Sequence, residues 1–238
     1  MRQTSALYQK LLQDPGSRKE VRVIINGVTY GEDRIVSLAT KANLFPSDTM
    51  GVGGAIAKEI DLSLVEPGAI PPMVEVVPAY RLVLGEVSSE WVQKGVFFID
   101  TRSADALTGV LTIHGYDAML KAEQVWEPDQ SLVFPMTMER ASAEIARLMG
   151  VSIDPRTVFQ PSYLVDYPAN AYTLRDVLRY IAAAYAGNWI ITDTGQLRLV
   201  TFAELPPESS FLITGYGSAI TFGGGAYPCL TRSIWARI

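Results

Sequence analysis

The chain has 238 residues, 48% hydrophobic and 19% charged, with a net charge of −5, a composition that builds a packed core and excludes a disordered chain. The acidic balance without a Lys/Arg run argues against specific nucleic-acid binding. One Cys (Cys229) excludes a disulfide framework or a Cys-based zinc site, and one His (His114) leaves no His cluster.

The N-terminus MRQTSALYQKLLQD lacks the 7–15-residue apolar core of a signal peptide. Residues 4–13 predict a short amphipathic helix, capped by Thr4 or Ser5, with Leu7, Leu11 and Leu12 on one face and Asp14-Pro15-Gly16 ending it. A helix this short needs a surface to dock on, in its own domain or a neighbouring subunit.

From Glu20 to Ile113 the pattern is mostly β. Val21, Val23 and Ile25 alternate with Arg22 and Ile24, Asn26-Gly27 is a hairpin turn signal, and Val28–Tyr30 makes the return strand. Ile60, Leu62 and Leu64 line one face of another strand. In the β-rich run 74–84, Pro78 marks a bulge or an edge. Val96-Phe97-Phe98-Ile99 is apolar on both faces, so it is expected to be covered on both sides, by its own domain or by a partner, and is the first place to look for a subunit contact. Leu107, Leu111 and Ile113 line the next strand, and Gly115-Tyr116-Asp117 opens a short helix.

Beyond Trp126 the period changes. Residues 137–149 predict a helix with the stripe Met138, Ala141, Ile145 and Leu148, stopped by Gly150. Residues 173–186 predict a second, with Thr173 and Asp176 forming a near capping box and Leu174, Val177, Leu178, Ile181 and Tyr185 on its buried face. A hairpin follows, Trp189–Ile191 and Leu197–Val200 around Asp193-Thr194-Gly195. The apolar run 180–192 is interrupted by Gly187-Asn188 and too short to span a bilayer, so no membrane segment is expected.

Chemistry is sparse. Gly51-Val52-Gly53-Gly54-Ala55 lacks the Lys-Ser/Thr of a P-loop and the strand–helix context of a dinucleotide fingerprint, which leaves a flexible or positive-φ turn. Glu59 and Asp61 share a strand face, where a solvated pair is commoner than a catalytic one. Glu32-Asp33 and Asp129 fall in turns. His114 reads as a hydrogen-bonded strand-end residue and Cys229 as a plain thiol. The tryptophans Trp91, Trp126, Trp189 and Trp235 could form a sugar platform, yet their scatter favours cores and interfaces. No catalytic, cofactor-binding or metal-ligating residue is assigned, and no cofactor is expected.

The order of segments resembles the baseplate hub, or tail-tip, proteins of long-tailed bacteriophages and prophages, in their N-terminal hub portion. MRQTSALYQKLL, GGAIAKEIDLSLV, WVQKGVFFID, LTIHGYDAMLKAE, YTLRDVLRYIAAAYAGNWIITDTGQLRLV and ITFGG carry it. The resemblance implies β-barrel domains with a small α/β unit between them. It also implies a trimer whose pseudo-sixfold ring docks below the hexameric distal tail ring and closes the tail tube. An acidic balance suits such a DNA conduit. In the family a complete second barrel follows the ITFGG-like segment, whereas here only residues 226–238 remain, ending CLTRSIWARI. The expected fold is α+β, mainly β: an N-terminal helix (1–18), a barrel-like domain (19–126), a small helix–helix–hairpin domain (127–205) and a truncated second barrel or short tail (206–238). The expected protein is a non-enzymatic virion component, homo-oligomeric and in contact with other tail proteins, assembled in the bacterial cytoplasm. The competing readings are a carbohydrate-binding module acting through the aromatics and a cell-wall hydrolase.

Overall fold

The computed structural model describes residues 4–45, 49–65, 67–129, 131–168 and 171–202, with the strand pieces 221–222 and 225–226. Helix α1 (Ala6–Gln13) leads into strands β1 (Arg18–Ile25), β2 (Val28–Tyr30), β3 (Ile35–Lys41), β4 (Gly54–Ile56), β5 (Glu59–Val65) and β6 (Glu75–Leu84). Strands β7 (Val87–Ser88), β8 (Val92–Gln93), β9 (Phe97–Asp105) and β10 (Val110–Asp117) follow, then a 3-10 helix (Ala118–Glu123). The rest comprises β11 (Met136–Thr137), α2 (Met138–Met149), β12 (Leu164–Val165), α3 (Leu174–Ala184), β13 (Gly187–Ile191) and β14 (Leu197–Thr201). A small pair, β15 (Thr221–Phe222) and β16 (Gly225–Ala226), ends the described chain. About 40% strand and 19% helix make this an α+β fold, mainly β.

One antiparallel sheet runs in the order β2-β1-β6-β9-β10-β5-β3, with β7 and β8 also on β6. Val23, Ile25, Tyr30, Ile60, Leu62, Leu64, Val76, Phe97, Ile99 and Ile113 point from these strands into one core. The sheet therefore wraps around its own apolar face, and the ends of the path meet in sequence rather than by pairing. The tight Gly31–Arg34 turn joins β2 to β3, with the Arg34 and Ile35 amides on the Gly31 carbonyl. No sheet among the described residues closes into a barrel. The expected barrel is thus an open sheet whose terminal strands are linked by a turn. The β1–β2 turn places Asn26 at φ 48 and Gly27 at φ 79, the double positive φ that an Asn-Gly hairpin supplies.

Pro78 lies inside β6, paired with β1 at Val23, and not on an edge strand. Its carbonyl accepts from Lys94 N–H on the side away from β1. Its missing N–H faces that same side, just beyond the β8 pairing that begins at Ala79, so the proline forgoes only the reciprocal bond to Lys94 at the end of that short ladder.

Helix α1 docks on the chain's own sheet. Ser5 caps it, its hydroxyl accepting from Tyr8 N–H and donating to Glu90. Tyr8 and Leu11 pack against Leu82 and Val92, and the Tyr8 and Tyr80 hydroxyls lie 2.8 Å apart. The expected Leu7, Leu11, Leu12 face is corrected: Leu7 and Leu12 are exposed, because the i, i+3 pair Tyr8 and Leu11 meets the sheet.

A second core joins the 3-10 helix, α2, α3, β13 and β14 around Trp126, Ile145, Leu174, Leu178 and Trp189. Thr137 caps α2 and Gly150 ends it at φ 68. Thr173 and Asp176 form a full capping box on α3, each side chain accepting the other's backbone N–H. The first segment reaches into this core. Strand β4 pairs in parallel with β13, Gly54 opposite Asn188, completing the sheet β14-β13-β4.

The doubly apolar stretch is explained by these two cores. Phe97 and Ile99 face the first core, while Phe98 packs against the second under the Lys121 ammonium, 4.0 Å from its ring centre. The stretch is a shared wall inside the chain, covered on both sides by its own cores rather than by a partner.

Candidate functional site

The glycine loop holds structure rather than phosphate. Gly53 sits at φ 79 and donates to the Gly187 carbonyl at 2.8 Å. Asn188, fully buried, accepts Gly54 N–H at 2.7 Å and donates to the carbonyls of Leu44 at 2.9 Å and Gly51 at 2.8 Å. One amide thus ties Leu44, Gly51 and Gly54 to β13, and the Gly53 and Gly54 N–H groups are spent inside the fold.

His114 has a partner. Its Nδ1 lies 2.8 Å from Asp61 Oδ1, directly across the β10–β5 pair, and its ring meets Tyr116 edge-on. Asp61 is mostly exposed and Glu59 lies 4.0 Å from Lys41 Nζ, so this carboxylate pair occupies the solvated strand face. Among the described residues no three His, Cys, Asp or Glu side chains converge as a metal ion needs. Cys229 and Trp235 lie outside the described residues. Trp126 and Trp189 are buried in the second core, and Trp91 is covered by the Arg22 and Arg81 guanidinium groups at 4.2 and 4.7 Å.

Two buried carboxylates have opposite electrostatics. Asp117 accepts the N–H groups of Lys58 and Met119, one on each oxygen, and burial pushes its pKa up to about 6. Its backbone N–H also donates to the Lys58 carbonyl, and Lys58 Nζ donates to Asp193 at 2.6 Å, so this cluster joins the two cores. Asp154 is clamped by Arg156 through Nε and an Nη at 2.8 and 2.6 Å, and that hydrogen bonding holds its carboxyl down to about 2.

The most exposed feature that the sequence did not flag is the far half of the β9–β10 hairpin. Strand β6 pairs with β9 only at Phe97 and Phe98, and Ile99 N–H donates to the Val74 carbonyl. The register then shifts, Ile99 opposite Gly115 but Thr101 opposite His114, so Asp100 is an extra residue. Such a bulge bends and twists its strand away from its neighbour. From Asp100 to Asp105 the edge away from β10 has no strand partner among the described residues, and every residue there is exposed. The tip is well built: Asp105 accepts from Leu107 N–H and from the Thr108 hydroxyl, and its carbonyl from Gly109 N–H. This turn holds Leu107 97% exposed, where the sequence pattern placed it on a strand face beside Leu111 and Ile113.

Concave surfaces lie away from this edge. A groove of about 600 Å³ lies between β5, the 3-10 helix and α3, with Phe45, Ile56, Tyr116, Glu123, Arg175 and Arg179 in its wall. A second, of about 530 Å³, is floored by Trp126 and Phe134.

Among solved structures, the 43 kDa tail protein of prophage MuSo2 from Shewanella oneidensis superposes with a TM-score of 0.51 at 13% identity, over 82% of this chain and 59% of that one. The tail protein from Neisseria meningitidis MC58 gives 0.51 at 15% identity, over 84% and 57%. The fold is that of prophage tail proteins. The chain spans less than two thirds of the length of either tail protein. No protein-family model and no curated protein matches the sequence. Within this tail-protein fold, no helix among the described residues is long and apolar enough to cross a membrane.

Proposed function

We propose that the chain is a structural, non-enzymatic part of a phage or prophage tail. The finer reading is a tail-tip or baseplate hub subunit that forms a homo-oligomer below the distal tail ring and helps close the tail tube. In that reading it assembles in the bacterial cytoplasm and ends in the virion tail. The observation that carries it is the fold shared over four-fifths of the chain with a prophage tail protein and a second tail protein. The open edge Asp100–Asp105 supports it, because an exposed edge without a strand partner is what assemblies pair by strand addition. A preorganised tip presenting Leu107 loses little entropy on docking.

Native mass spectrometry and light scattering test the reading, together with pull-down on a purified distal tail ring. Self-association or capture by the ring is expected. A chain that stays monomeric at high concentration and ignores the ring refutes it. The carbohydrate reading gains no support from the described tryptophans, since two are buried and Trp91 is sandwiched by arginines.

A further inference from the structure

A separate pocket of about 360 Å³ opens between Lys58, the 154–156 loop and the β13–β14 hairpin. Its wall carries Lys58, Arg156, Arg198, Thr192, Thr194 and Asp193. Three cations thus meet one lining carboxylate in a chain whose net charge is −5. Two of the cations are already held in place. Lys58 is bound to Asp193, and Arg156 is clamped by the buried Asp154 through Nε and one Nη, which leaves its other Nη without an acceptor among the described residues. Arg198 makes no hydrogen bond among the described residues and meets the buried Asp154 carboxylate only through space; its Nε is buried without an acceptor, as are those of Arg22 and Arg175, but Arg22 lies over the Trp91 ring and Arg175 pairs with Glu123.

A buried guanidinium N–H with no acceptor is rare in folded proteins and calls for an explanation. Guanidinium forks match the oxygens of carboxylate and phosphate groups, and a charge-assisted bond in a pocket is stronger than one on an open surface. The neighbouring cations are fixed by their own carboxylates, so they bring charge to the pocket without having to be ordered on binding. Because the basic residues line one small pocket rather than a stripe, a single anionic group fits them and a polyanion does not. We propose that this pocket binds one oxyanion, a carboxylate or a phosphate group, with Arg198 as its main ligand and Arg156 and Lys58 as flanking charges. The proposal is independent of the tail assignment.

The test is a titration of the full chain with sodium phosphate and, separately, with sodium acetate, at ionic strength held constant with sodium chloride. The readout is the NMR resonance of the Arg198 Nε–H. A saturating shift is expected with at least one of the two salts. Arg198→Gln, followed through neighbouring backbone amides, is expected to weaken binding by about tenfold or more. Arg140→Gln, an exposed change on α2, is expected to leave it intact. Saturation by acetate alone assigns the ligand to a carboxylate, as from an acidic side chain of another protein. Saturation by phosphate alone assigns it to a phosphate. A shift that only rises linearly with either salt, an adventitious ion only, overturns the proposal, as does binding unchanged by Arg198→Gln. Should that variant not fold, the wild-type Arg198 resonance decides.

Discussion

Replacing Asn188 by Ala should unfasten the joint between the two cores. The wild-type amide makes three hydrogen bonds, to Gly54 N–H, the Leu44 carbonyl and the Gly51 carbonyl, from a position with no solvent exposure. Each net bond is worth roughly 0.5–1.5 kcal/mol, and one buried and two part-buried backbone groups lose their partner at once, so a loss of about 2–4 kcal/mol is expected. Asn188→Asp keeps the acceptor for Gly54 but sets a carboxylate oxygen against two carbonyls. Its loss at pH 7 should equal or exceed that of Ala, and shrink at low pH as protonation restores a donor. Urea unfolding at pH 7 measures both variants. Amide exchange at Gly54, protected in the wild type, should accelerate while β10 amides stay slow, marking a local opening. A loss below about 1 kcal/mol for Asn188→Ala, or unchanged exchange at Gly54, would refute the claim that this one amide holds the loop.

Asp117 should make stability fall as pH rises. Its folded pKa of about 6 lies above the unfolded value near 3.9, so its contribution is fully present below about pH 4 and lost through pH 6, on the order of 3 kcal/mol. Asp117→Asn should flatten that window in urea unfolding run from pH 4 to 7, and an unchanged slope would count against the assignment. Asp154 acts in the opposite sense: its pKa of about 2 gives stability present above about pH 4 and lost as pH falls toward 2, so Asp154→Asn should blunt acid unfolding in circular dichroism. Gly115→Ala should cost roughly 1–3 kcal/mol by thermal melting, because a Cβ there collides with the Phe98 carbonyl oxygen across the ladder. Leu107→Asp should leave monomer stability within about 0.5 kcal/mol while weakening self-association in sedimentation.

Local elements were legible wherever one residue type answers one local need. Asn26-Gly27 predicts its turn because both positions need positive φ, and Thr173 with Asp176 predicts its cap because the first helical N–H groups need acceptors. The stripes on α2 and α3 follow from a 3.6-residue period, and Ile60, Leu62 and Leu64 from a period of two. Leu7, Leu12 and Leu107 were misread because periodicity reports which residues could share a face and says nothing about whether a partner surface arrives. His114 reads correctly as hydrogen-bonded, but its partner is not legible, because Asp61 is 53 residues away and becomes its neighbour only through the β5–β10 register.

The sequence by itself determined the fold class, most strand and helix boundaries, the lack of an evident catalytic motif and the resemblance in segment order to tail proteins. Each of these rests on short-range stereochemistry or composition, which travels with the chain. Tertiary structure decided the rest. It made Val96–Ile99 an internal wall by setting a core on each side, and it left Asp100–Asp105 as the open edge through one inserted residue. It also turned a glycine-rich loop into a strand fastened by Asn188. These outcomes depend on contacts between residues tens to more than a hundred positions apart, and no local pattern encodes which of the possible partners will meet.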